Sequence, residues 1–179
     1  MTTDKPIEIP LSKTKLILSF LGSLAFVAAG IWFLISPSRI SNPFLNNPTL
    51  ISVVGMVSVV FFGFIAIGIF RKLFDKKSGL VINSQGVIDN SSGVSAGLIT
   101  WGDIQEIEIL QVMNQKFLMF IVENPQNYLD RVKNPIKRNI MKMNYKTYGS
   151  PISISSKALK TDFEELNKLL IEKMNHYKS

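Results

Sequence analysis

LILSFLGSLAFVAAGIWFLI, Leu16–Ile35, and TLISVVGMVSVVFFGFIAIGIF, Thr49–Phe70, carry no ionisable side chain. A helix rises ~1.5 Å per residue, so roughly 20 apolar residues cross a ~30 Å hydrocarbon core. Both stretches reach that length. The segment between them, Ser36–Pro48, is short and broken by Pro37, Pro43 and Pro48. The reading is a membrane helical hairpin over residues 16–70, preceded by a polar tail and followed by a domain.

Charge orients the hairpin. Lys5, Lys13 and Lys15 precede the first span. Arg71, Lys72, Lys76 and Lys77 follow the second, and the loop between them carries only Arg39. Lys and Arg concentrate on cytoplasmic flanks, so both termini are expected in the cytoplasm of a cell membrane and 36–48 outside. Residues 1–15, with Pro6 and Pro10, read as a disordered or interfacial cytoplasmic tail. A cleaved signal peptide is not expected, because the first apolar run is too long and no small-x-small site follows it. Trp32 and Phe33 suit an interfacial aromatic belt. Gly22, Ala25, Ala29 and Gly30 on the first span, and Gly55, Ser58, Gly63 and Ala66 on the second, offer small faces for helix packing.

The whole chain of 179 residues has a net charge of +7 and no cysteine. A disulfide framework, a thiolate metal site and a cysteine nucleophile are thereby excluded. The positive mean hydropathy comes mainly from the hairpin. Arg71–Ser179 holds 16 Lys and Arg against 11 Asp and Glu, a net +5. That excess fits an inner-membrane flank better than nucleic acid, since no reading element accompanies it.

From Ser78 the pattern changes to six short β-rich runs: Gly79–Asn83, Gly86–Asn90, Gly97–Trp101, Gln105–Val112, Lys116–Glu123 and Pro151–Ser155. In the fourth, Ile107 and Ile109 are expected in the core with Glu106 and Glu108 in water. Phe117–Val122 is apolar on both faces and should be a covered, central strand. Asn124–Gly149 is too long for an ordinary loop and reads as one or two helices interrupted at Pro135. Tyr128, Val132, Ile136 and Ile140, each four apart, would form its apolar face. Thr161-Asp162-Phe163-Glu164 has capping-box spacing. Phe163, Leu166, Leu170, Met174 and Tyr177 then form one stripe of a terminal helix. Strands followed by one amphipathic helix imply an α+β domain, an open barrel or sandwich closed by that helix.

Gly86-Val87-Ile88, then Ile99-Thr100-Trp101-Gly102-Asp103-Ile104 and Ile107, resembles the signature of bacterial pleckstrin-homology-like domains. The terminal helix Asp162–Tyr177 matches too. With Gly149-Ser150-Pro151-Ile152-Ser153-Ile154, the whole chain is similar to an uncharacterised family of short bacterial membrane proteins with two spans and such a domain. The resemblance implies a PH-like domain over residues 78–179, with six strands read where that fold has seven and with 124–149 as a helical insertion. It also implies an interaction platform and not an enzyme.

The site candidates reduce to charge. His176 is the sole histidine, so no metal is expected, and no serine triad can be assembled. No cofactor is implied. Trp101 reads as a core or sheet-edge anchor after the third strand, and Asp103 as a corner residue bonding backbone amides. Arg131, Lys133, Lys137, Arg138, Lys142 and Lys146 form a run without an acid. The cytoplasmic leaflet is anionic. The run is therefore a candidate contact for anionic lipid headgroups, with Arg71 and Lys72 at the membrane flank. The expected role is a membrane-anchored binding or scaffold module whose target is lipid or a protein partner. The alternative is a small accessory subunit of a larger membrane complex. An enzyme or transporter is disfavoured, because the spans lack the ionisable groups that mark a substrate path.

Overall fold

The computed structural model describes residues 5–36 and 47–178. Arg39, Pro37, Pro43 and most of the expected outside loop lie outside the described residues. The chain divides into two compact units, the helical hairpin Lys13–Lys76 and a domain made of residues 1–12 with 77–179.

The hairpin consists of α1, Lys13–Ile35, and α2, Pro48–Leu73. Pro48 opens α2 without losing a needed N–H, and the Asn47 side chain caps it by accepting from the Thr49 and Leu50 amides. Both helices are long and apolar enough to cross a membrane. Only 17% of each apolar window is buried, so most of the apolar surface of both helices is uncovered. Ser19 and Ser23 return their hydroxyls to the Lys15 and Phe20 carbonyls, which satisfies them inside an apolar helix.

Leu16, Ser23 and Gly30, each seven apart, are the buried positions of α1; Ile51, Gly55 and Ala66 are those of α2. A seven-residue spacing keeps one seam facing the partner helix. The closest approach is glycine on glycine. A Cβ on Gly30 would meet the Gly55 carbonyl oxygen at 2.9 Å, and one on Gly55 would meet that of Gly30 at 2.7 Å. Ser58 Oγ donates across the seam to the Phe26 carbonyl at 3.1 Å, and Phe26 stacks on Phe62 at 4.3 Å. The expected small-residue faces are thus half corrected. Gly30, Gly55, Ser58 and Ala66 lie at the seam, whereas Gly22, Ala25 and Ala29 are exposed and Gly63 has no neighbour where a Cβ would stand.

The domain begins before the hairpin. Ile7–Ile9, expected to be part of a tail, forms strand β1 and pairs antiparallel with β2, Leu80–Asn83. The alternation Ile7, Ile9, Leu11 is the reason. Ile9 and Leu11 are buried, and Leu11 bridges to Leu159. The Pro10 carbonyl accepts from Lys160 N at 2.9 Å, and Ser12 N donates to Ala158 O at 2.8 Å. The N-terminal segment is a seventh strand, and the hairpin is an insertion between two neighbouring strands.

Two antiparallel sheets make the domain. One has the order β1-β2-β3-β4, with β3 at Gly86–Asp89 and β4 at Gly97–Thr100; the other is β5-β6-β7, with β5 at Ile104–Val112, β6 at Gln115–Val122 and β7 at Ser153–Ile154. They share no strand among the described residues, so no closed barrel forms. A one-turn 3-10 segment, Trp101–Asp103, links them. β6 is the middle strand, with Leu118, Met119, Phe120 and Val122 buried, as its two-faced apolar pattern requires. In β5, Ile104 and Ile107 are buried, but Ile109 is exposed. The register slips between Ile104 and Glu106, and this bulge puts Ile104 and Ile107, three apart, on one face; Ile109 continues that face beyond its covered part.

The insertion holds two helices, α3, Pro125–Arg131, and α4, Pro135–Tyr148. Pro135 starts α4, and Asn134 caps it. The expected stripe therefore breaks. Tyr128 is buried in α3, Val132 is extended, Ile136 is exposed, and Met141 is the fully buried residue of α4. Gly149 ends α4 at φ +79°, the left-handed position where glycine avoids a Cβ penalty. The buried Ser150 then donates to the Phe120 carbonyl and accepts from Ile152 N, which seats β7 beside β6.

The last helix, α5, spans Phe163–Lys178 and buries Leu166 and Leu170. Its cap sits one residue later than the spacing predicts. Asp162 Oδ1 accepts from Glu165 N at 2.8 Å, and Thr161 Oγ1 bonds the Glu165 carboxylate. Tyr177 stacks on Trp101 at 5.6 Å. That indole is 3% exposed, and its Nε1 donates to Asn83 O at 2.8 Å. Trp101 is a core anchor between sheet and helix.

Candidate functional site

The basic run divides into residues bonded within the domain and residues that make no such bond. Arg131, at the end of α3, lies over the Tyr128 ring at 4.6 Å and donates to Leu98 O at 3.3 Å. Arg138 pairs with Asp130. These two guanidiniums tie α3 to β4 and to α4, and planar forks suit that work better than ammonium groups do. Lys133, Lys137, Lys142 and Lys146 make no ion pair or hydrogen bond among the described residues.

Helix geometry assigns faces to α4. Met141 points inward, together with Asn144, whose Nδ2 lies 3.4 Å from Ser153 Oγ on β7. The opposite face presents Asn139, Lys142 and Lys146, flanked by Ile136 and Met143. Ile136 and Met143 are seven apart, hence about 20° apart around the axis. They are 58% and 61% exposed. Large apolar side chains that open to water, set among unpaired lysines, are the composition of an interfacial helix face. Each lysine near an anionic leaflet is worth about 1 kcal/mol.

Arg71 and Lys72 lie in the last turn of α2, where cations favour the helix dipole. Lys72 is partly neutralised by Asp75 at 3.0 Å, and Arg71 is exposed. They belong to the hairpin unit, and the α4 lysines belong to the other unit.

Two features escaped the sequence reading. One is a half-open cavity of about 190 Å³ beneath α4, lined by Leu110, Val112, Phe117, Met119, Asn144, Tyr148 and Ser153. The other surrounds Asp103. Its Oδ2 accepts from Thr100 Oγ1 at 2.7 Å and from the buried Tyr128 hydroxyl at 2.8 Å, and not from backbone amides as expected. The Thr100 and Tyr128 hydroxyls, with Arg131 nearby, hold the carboxyl below the usual carboxylate range. Burial, and then Asp103 itself, pushes the Tyr128 hydroxyl up. Asp103 and Tyr128 lie on different elements, and no local spacing signals their meeting. The grouping joins the sheet-linking turn to α3 and reads as a clamp between them.

Among the described residues no group of three or more His, Cys, Asp or Glu is placed to hold a metal ion. Comparison with protein-family models, with curated proteins and with solved structures finds no match to this chain.

Proposed function

We propose that this chain is a membrane-anchored binding module, which presents a PH-like domain at the cytoplasmic membrane surface and recruits or orients its target without catalysis. Four and three antiparallel strands followed by a C-terminal helix support the PH-like reading. The observation that carries the anchoring is the place of the hairpin. Two exposed apolar helices are inserted in the chain between paired strands β1 and β2, so both ends of the hairpin lead into one sheet. Co-flotation of the full chain with vesicles after an alkaline wash tests it. Retention on the vesicles supports the anchor, and release into the wash refutes it. Cross-linking in native membranes then identifies the target as lipid or protein.

One observation favours a second reading, an accessory subunit. Gly22, Ala25 and Ala29 lie on an exposed side of α1, and small residues let another helix approach closely. A defined complex after mild-detergent extraction supports this version, and a monodisperse monomer counts against it.

A further inference from the structure

We infer that the outward face of α4 is a docking surface for an anionic bilayer, with Ile136 and Met143 entering the interface and Lys142 and Lys146 meeting the headgroups. This rests on the anchoring proposed above and names the partner of the anchored domain.

Four observations converge on it. Ile136 and Met143 share one helix face, and both are more than half exposed. A soluble surface gains nothing from two such residues side by side, whereas the interfacial layer of a bilayer accommodates them. The cations on that face have no ion-pair partner among the described residues. No acid falls between Arg131 and Lys146, and the nearby Asp130 is consumed by Arg138. The face therefore has a single sign of charge, complementary to phosphatidylglycerol-type headgroups. Finally, the face is spare. Met141 and the Asn144 contact hold α4 on the sheet from its other side, so its outer residues are free of any role in the fold.

The chain has no cysteine, so single labels are unambiguous. Full-length Met143→Cys, and Asn175→Cys on α5 as reference, each carry an environment-sensitive fluorophore and are reconstituted into vesicles. One set is phosphatidylcholine only; the other is one-third phosphatidylglycerol. The expected result is at least a doubling of emission with a blue shift at position 143 in the anionic vesicles alone. Lipid-borne quenchers should reach that label, and the reference should stay unchanged. Lys142→Gln with Lys146→Gln should abolish the change, and so should high salt, which screens the attraction. All four substitutions lie on exposed positions, so folding is not at stake. A chain that floats with both vesicle types while label 143 stays water-like overturns the docking inference and leaves the anchor standing. The same holds for equal responses in both lipids. A chain that fails to float removes the anchor and the inference with it. Capture of an acidic protein by a face that stays wet on anionic vesicles would replace lipid with that partner.

Discussion

Ile9 pairs with Leu80 across the β1–β2 ladder, and both membrane-length helices lie between them in the chain. Only Pro10, Leu11 and Ser12 separate Ile9 from α1, and the short segment Phe74–Gly79 separates α2 from Leu80. Neighbouring strands lie ~4.8 Å apart. The two ends of the hairpin are therefore bound into one sheet, and several expectations follow from that single pairing.

Removing β1 should unmake the domain. A chain beginning at Ser78 lacks the strand that covers the β2 edge, and it loses the buried side chains of Ile9 and Leu11. Burial of one such residue contributes about 1.5–3 kcal/mol, and an open edge invites aggregation. The fragment 78–179 is expected to be poorly soluble or to melt well below a fusion of residues 5–12 to 77–179 through a Gly/Ser linker. Equal melting temperatures would show that β1 is dispensable. In the full chain, Ile9→Asp should cost about 2–4 kcal/mol, because it adds an unpaired buried charge to a lost contact.

If the helices span a bilayer, they must enter and leave on the same face, since a strand pair cannot form across a membrane. Cysteines at Lys5 and Gln126 should label together from one side of sealed vesicles, and a cysteine at Asn46 only from the other. This argument does not use the charge distribution, so it tests the positive-inside reading independently. Opposite accessibility of positions 5 and 126 would break it.

Local pattern made much of the molecule legible, and distance hid the rest. The two long apolar helices, Trp101 as an anchor, the middle strand β6 and the Leu166/Leu170 stripe all rest on local pattern, and the structure contains each of them. β1 was missed because a three-residue strand flanked by prolines has too little alternation to announce itself, and its partner lies beyond the hairpin. The stripe through Tyr128 and Ile136 failed because Pro135 restarts the helix and resets its phase. Ile109 lies on the same face as Ile107, as the alternation requires, yet it is exposed, because periodicity assigns a face without saying how far along the strand that face is covered. Of the eight candidate lipid-contact residues, sequence supplied the charges. It did not show that Arg131 and Arg138 are committed to Tyr128 and Asp130, and that sorting needed side chains from separate elements.

The helix seam gives a steric test. Gly55→Val should force α1 and α2 apart, because its Cβ has the Gly30 backbone oxygen 2.7 Å away and backbone cannot yield as a side-chain end can. A cost of about 1–3 kcal/mol is expected, read from far-UV circular dichroism during unfolding in mixed detergent micelles. Gly63→Ala is the control. A Cβ there meets nothing within 4 Å, and alanine is the better helix former, so stability should hold or rise slightly. If Gly55→Val behaves like Gly63→Ala, the glycine contact does not set the seam.

The Asp103 clamp gives a test in pH. Its folded carboxyl titrates lower than an unfolded one, because Thr100 and Tyr128 donate to the charged form. Such a group adds stability that is complete above the unfolded value of about 3.9 and is lost as pH falls through the lower folded value. Asp103→Asn keeps the shape and removes the charge. The melting temperature of the native chain should therefore exceed that of Asp103→Asn at neutral pH, and the two should converge as the solution is acidified below about pH 4. Tyr128→Phe retains the ring under Arg131 but removes the hydroxyl donor, at an expected cost of about 1.5–3 kcal/mol for a bond to a charged acceptor. The double variant should lose less than the sum of the single ones, since each single change already breaks the same bond. Strict additivity, or a gap between native and Asp103→Asn that persists through acid, would show that the clamp does not hold the sheet-linking turn to α3.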